Sequence, residues 1–205
     1  MSDMLQLAVT LPIMTPESTP KRVRYLLDPG ASTFTVQAFA AGLFSAFGHD
    51  PVIGIKDFSG AAEFVPDTFE HASLSLNINA NSMTVINNVK ESDRREIERM
   101  MREEVLETAK FPTIVFESHN IAMSRAGADR FRARVVGDLT LHGISKKNLW
   151  INGEVIFNDE GFRAKGNYAL KQTDYQIKLV SVAGGTMKIK NEVQCKFEIV
   201  AKRGG

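Results

Sequence analysis

The chain has 205 residues, 43% hydrophobic and 24% charged, a composition that supports a sizeable core and excludes disorder over most of its length. Lys and Arg number 25 against 24 Asp and Glu, so no overall basic field draws in a phosphate backbone or an anionic membrane, and nucleic acid is not expected as a partner. Thirteen Phe stand against three Tyr and one Trp; rings with no polar handle need no hydrogen-bond partner, which suits a thick core or a hydrocarbon-lined cavity.

Residues 1–22 carry Pro12, Pro16 and Pro20 among Ser and Thr and read as an extended leader. The apolar stretch from Met4 to Met14 follows Asp3 rather than Lys or Arg, and no small-residue cleavage site follows it, so a secretory signal is not expected. No apolar run approaches the roughly 20 residues that span a bilayer. The expected location is the cytoplasm, or the periplasm if the start is misassigned.

Residues 23–203 are expected to form one domain. Phe34, Val36 and Ala38 alternate with Thr33, Thr35 and Gln37, and Leu74, Leu76 and Ile78 alternate with Ser73, Ser75, Asn77 and Asn79, the period of strands with one buried and one wet face. Further strands are expected at about 52–64, 114–122, 149–157, 162–170, 175–182 and 187–200. Phe131, Ala133 and Val135 open another that resumes at Leu139 and Leu141, with a bulge expected at Gly137. One segment has a helical period: Ile97, Met101, Val105 and Ala109 at four-residue steps. Asp93-Arg94-Arg95-Glu96 is a candidate capping box before it, Glu98 and Arg102 form an i,i+4 pair, and the helix ends before Pro112. Many strands and one intervening helix favour a closed antiparallel barrel, which at about eight strands can hold one ligand inside.

Cys195 sits on the apolar side of the alternating run Val193–Ile199, as a buried and inert thiol. His49, His71, His119 and His142 are scattered without metal-ligand spacing, so no metal is expected. Nucleotide-binding and hydrolase signatures are absent, and no cofactor is expected. Phe47-Gly48-His49-Asp50-Pro51 is the best polar candidate, with His49 meeting the head of an otherwise apolar ligand. His142 ends a strand and is expected at the surface or in a turn, and Lys171 and Asp174 belong to a polar cluster or a solvated loop.

The order and spacing of several phrases resemble the YceI-like, polyisoprenoid-binding family of lipocalin-like barrels. They are Tyr25-Leu26-Leu27-Asp28 with Ser32-Thr33-Phe34-Thr35-Val36; Phe47 to Pro51 leading to Asp57-Phe58-Ser59-Gly60; Phe111-Pro112-Thr113-Ile114-Val115-Phe116; and Val136 to Lys146. The resemblance implies an extended eight-stranded antiparallel barrel with one helix near its opening. It also implies a tunnel for an isoprenoid tail, such as that of a quinone or polyprenyl lipid, and the possibility of a homodimer. Ala31, where relatives carry a His, and Lys171-Gln172-Thr173-Asp174, in place of Arg-Ser-Asp, depart from the family pattern.

The resulting expectation is a non-catalytic carrier of a long apolar ligand. Its candidate binding residues are Phe34, Phe39, Phe44, Phe47, His49, Phe58, Phe64, Phe116, Lys171 and Asp174. Two other readings stay open: an interaction module with a filled barrel whose Met100 and Met101 dock a partner, and a lipid-modifying enzyme using His49 and Asp50.

Overall fold

A computed structural model describes residues 21–41, 50–182 and 187–204. Its strands are β1 (Val23–Leu27), β2 (Thr33–Gln37), β3 (Ala40–Ala41), β4 (Val52–Ile55), β5 (Phe58–Phe64), β6 (Ser73–Asn79), β7 (Met83–Val85), β8 (Thr113–Arg125), β9 (Arg130–Leu141), β10 (Ile144–Asn158), β11 (Gly161–Lys171), β12 (Ser181–Val182), β13 (Met187–Ile189) and β14 (Glu192–Arg203). Helix α1 (Glu91–Met100) runs into a π-helical turn over Met101–Val105. All pairings in the main sheet are antiparallel. The ring β1-β5-β6-β8-β9-β10-β11-β14 closes because β14 also pairs with β1. β2, β4 and β7 continue β1, β5 and β6 toward the helix, pairing in the same order, so the wall is a closed eight-stranded barrel.

Side chains repair the ladder where those three strands break. Between β1 and β2, Asp28 N donates to Val200 O at 2.8 Å and Val200 N donates to Ser32 Oγ at 2.9 Å. The Asp28 carboxylate meanwhile takes the N–H groups of Gly30 and Ala31 and pairs with Lys202. At the next two breaks Asp57 N donates to Ser82 Oγ and Asn79 Nδ2 to Asp57 Oδ2. Buried backbone donors must be paired; short polar side chains do it here.

The helix lies over the edge that β7 would otherwise expose. Glu98 Oε1 accepts from Val85 N at 2.9 Å, and Arg94 donates to the carbonyls of Val85 and Asn87. The expected Glu98–Arg102 pair is present at 2.7 Å. The capping box is not: α1 begins at Glu91, which puts Asp93 inside the first turn, and Lys90 at its N-cap makes no side-chain bond.

Two other expectations are corrected. The bulges lie on the neighbours of β9, between Ser118 and Asn120 and between Lys146 and Leu149. Gly137 itself keeps the phase of Phe131, Ala133, Val135, Leu139 and Leu141. It faces inward where an added Cβ would stand 2.5 Å from Glu117 O and 2.6 Å from Phe116 Cζ. Residues 175–182 form a strand only at β12. Gln172–Tyr175 is a 3₁₀ turn, and Gln176 follows in the left-handed region. Tyr175 and Ile177 are nonetheless buried between exposed neighbours, so the alternation recorded a buried face without a hydrogen-bonded partner.

Replacing Ser32 with Ala should cost about 1–3 kcal/mol, because Val200 N–H is left without an acceptor in a partly buried wall. Gly137→Ala should cost a similar ~1–3 kcal/mol through overpacking. Gly127→Ala, whose Cβ meets nothing closer than 3.4 Å, should stay within about 0.5 kcal/mol. Urea midpoints at constant slope measure all three.

Candidate functional site

The barrel is hollow. A cavity of about 1150 Å³ runs inside it, lined almost wholly by apolar side chains. The inward positions of every wall strand contribute, and small ones leave the space: Ala62, Ala133, Gly153 and Ala164 face it where larger residues would meet across the axis. Such a volume lies just above the usual span of ligand sites, roughly 300–1,000 Å³.

Aromatic rings close one end. Phe64 stacks on Tyr25 at 4.8 Å and touches Phe69, Phe157 and Phe162 at 5.6–6.2 Å, while Phe131 packs edge-on to Phe69 at 4.9 Å. Phe69 reaches this cluster from a loop in which Asp67, Phe69 and His71 all take positive φ. Such strain in non-glycine residues persists only where packing imposes it.

The helix forms the other end. Ile97, Met100, Met101, Val105 and Leu106 line the cavity there, together with Met83 and Ile177. Met100 and Met101 thus face the interior, with Met101 buried. Exposed Asn88, Lys90, Asp93 and Glu96 also border the cavity, which therefore meets solvent along the first half of α1.

Few polar atoms reach the interior. Tyr168 and Cys195 are opposed in register and both line the cavity. Burial pushes the Cys195 thiol up to about 11, so it stays protonated and unreactive at neutral pH. Buried Gln172 turns its amide to the Lys190 carbonyl at 2.9 Å. Tyr175 Oη is buried without a hydrogen-bond partner among the described residues, and burial raises its phenol well above the usual range. Among the described residues no group of His, Cys, Asp and Glu is arranged to hold a metal.

Of the candidate residues, Phe34, Phe64 and Phe116 line the cavity. Phe58 is buried against Phe34, ring centres 5.8 Å apart, behind the cavity wall. Phe39 lies off the wall, half-buried beneath Lys190 Nζ. Phe44, Phe47 and His49 fall outside the described residues. Lys171 and Asp174 are exposed on the outside, because the phase of β11 turns Leu170 inward and the following turn buries Gln172 and Tyr175 instead. Phe157, Phe162 and Phe197 line the cavity too. Period-two alternation marked Phe197 in the same run as Cys195, but no motif singled it out.

His142 holds the helical segment to the wall. It sits in the expected turn, partly buried, with its side chain 10% exposed. Nδ1 lies 3.1 Å from Tyr175 O and Nε2 lies 2.9 Å from Glu107 Oε2. The carbonyl accepts from Nδ1–H. Phe111 packs edge-on to the ring at 4.5 Å, and Glu107 also pairs with Lys110.

Residues 25–201 match the family model of the YceI-like domain. The chain belongs to the YceI-like family. Three solved structures share its fold. Burkholderia cenocepacia BcnA is 17% identical, with 84% of this chain and 98% of that one aligned at a TM-score of 0.63. A polyisoprenoid binding domain from Saccharophagus degradans, implicated in plant cell wall breakdown, is 15% identical over 89% and 99% of the two chains, with a TM-score of 0.63. The Campylobacter jejuni YceI protein is 18% identical over 75% and 84%, with a TM-score of 0.55. None of the curated proteins matches this chain. At these identities the YceI structures speak to the barrel and its helix, and the ligand must be argued from the cavity.

Lys110, and after it His142, hold the Glu107 carboxyl below its ordinary pKa of 4.5. A carboxylate with a depressed folded-state pKa contributes stability that is complete above the unfolded value and lost as pH falls through the folded one. The melting-temperature advantage of the native chain over Glu107→Gln should therefore shrink as pH drops below about 4.5. An advantage that grows on acidification would contradict this arrangement.

Proposed function

We propose that this YceI-like protein binds and carries a long apolar molecule, an isoprenoid lipid or isoprenoid quinone, inside the barrel and performs no covalent chemistry on it. The observation that carries the reading is the continuous apolar cavity of about 1150 Å³ with charged groups only at its opening. Burying a methylene is worth roughly 0.8 kcal/mol, so a tail of about twenty carbons offers on the order of 10 kcal/mol. Association and ordering costs take back several kcal/mol or more. Micromolar or tighter binding then needs no specific polar contact.

The shape favours a tail over a compact ligand. The cavity extends from the Phe64 and Phe157 rings to the Met100 and Met101 side chains, and aliphatic side chains along it offer dispersion contact without direction. The Saccharophagus degradans domain is a polyisoprenoid binding domain, which is in keeping with this reading. A filled-barrel interaction module required an interior without a continuous cavity, and the cavity counts against it. The lipid-modifying alternative rested on His49 with Asp50, and no other acid–base pair lines the interior among the described residues.

Mass spectrometry of an organic extract from natively purified protein should return a stoichiometric long-chain isoprenoid. Ala133→Phe, which fills the lumen from the inside of β9, should keep the native circular dichroism and reduce retained lipid severalfold. A clean extract after expression in the natural host would overturn the carrier reading, as would full lipid retention by the filled variant.

A further inference from the structure

Several charges on the outside of this barrel are matched. Arg163 pairs with Glu198, Lys147 with Asp138 at 2.7 Å, Lys202 with Asp28 at 2.7 Å and Arg22 with Glu63 at 3.4 Å. Strand β9 departs from that pattern. Arg130, Arg132 and Arg134 face outward at two-residue steps, all exposed, and none makes an ion pair among the described residues. Glu154 stands opposite Arg132 on β10, but its carboxylate goes to Lys165 at 3.1 Å. Arg125, at the end of β8, is opposed to Phe131 and lies 4.8 Å over its ring, on the inward face, so the row ends at Arg130. At the other end the row meets Trp150, the chain's one tryptophan, which is 60% exposed. Trp150 is opposed to Val136, and Arg134 lies 5.4 Å over its ring.

We propose that this strip, Arg130, Arg132, Arg134 and Trp150, is a docking face for an anionic phospholipid bilayer. The near-neutral total charge hides it, because the excess is local to one face. Guanidiniums bind phosphate oxygens in paired, directional bonds. A tryptophan with an apolar body and one N–H donor is the side chain most at home at the headgroup level. The row runs along a strand at about 3.3 Å per residue, so the charges meet a flat surface together. Two other occupants fit less well. A stacked nucleobase needs an open ring face, and Arg134 covers one face of Trp150. A second copy docked by the same strip would set arginine row against arginine row.

The test uses the full chain freed of bound lipid, so its outcome does not depend on what the cavity holds. Phosphatidylcholine vesicles with and without phosphatidylglycerol are added, and Trp150 emission and co-sedimentation are followed. The expected result is a blue shift and sedimentation only with phosphatidylglycerol, both reversed by added salt. The double substitution Arg132→Glu with Arg134→Glu, at exposed positions, should weaken vesicle binding by about tenfold or more. Arg130→Glu, checked separately, should weaken it less, and Lys178→Glu, an exposed charge reversal outside the row, should leave it unchanged. Circular dichroism confirms that each variant is folded. No binding to anionic vesicles, or equal binding by the double variant, overturns the proposal. Tighter binding to duplex DNA at the same salt overturns it in favour of a nucleic-acid face, and a Trp150 spectrum that shifts with protein concentration alone overturns it in favour of self-association.

Discussion

Val200 receives the N–H of Asp28 on its carbonyl and gives its own N–H to the hydroxyl of Ser32. Through those two bonds β14 passes from β1 to β2 without opening the wall. Everything else about the molecule depends on that closure. An open sheet would bury its apolar face by folding onto another layer, and the interior would fill with side chains. A closed ladder holds its strands apart by backbone geometry, so the space inside is decided by side-chain size alone. Ala62, Ala133, Gly153 and Ala164 then leave it empty.

The same demand explains why polar residues gather at the breaks in the wall. Where β4 gives way to β5 and β6 to β7, Asp57, Asn79 and Ser82 exchange bonds that a straight strand would have made with its neighbour. Beyond them the helix takes over. Glu98 and Arg94 bond to backbone groups of Val85 and Asn87 as a further strand would, while Met101 and Leu106, one turn and two turns on from Glu98, line the cavity. His142 fixes the far end of that segment through Glu107. The lid of the cavity is thus fastened by side-chain bonds at both ends.

Much of the wall was legible because alternation reports which face is buried. The inward set of β9, from Phe131 to Leu141, and that of β14, from Val193 to Ile199, could be taken from the sequence residue by residue. Alternation does not report pairing, which is why Tyr175 and Ile177 looked like strand. Nor does it locate a bulge: His119 and the Lys147–Asn148 step lie in runs with no Gly or Pro to mark them, while Gly137 looked like a break and is a close approach to Phe116. The polar candidates were less legible. Lys171 and Asp174 carry the charges that draw the eye, yet a one-residue phase sends Leu170, Gln172 and Tyr175 inward in their place. Phe39 and Phe58 show the limit of choosing by residue type, since a phenylalanine near the cavity can pack behind its wall.

What the interior lacks limits what it can take. A phosphate placed among Phe64, Ala133 and Phe157 would lose its water and find no cation, because Lys90 stands with Asp93 and Glu96 at the rim; burying an unpaired charge costs far more than the apolar tail returns. A charged head must therefore stay at the opening, whereas a neutral head could follow its tail inside toward Tyr168. Under the proposed function, discrimination among tails falls to length and width, where one methylene more or less shifts affinity by about fourfold. A wall held by its own ladder stands whether or not it is filled, and a bound tail adds to stability by mass action. Under the proposed function, release of the ligand then needs no unfolding, which is the physical requirement for a carrier.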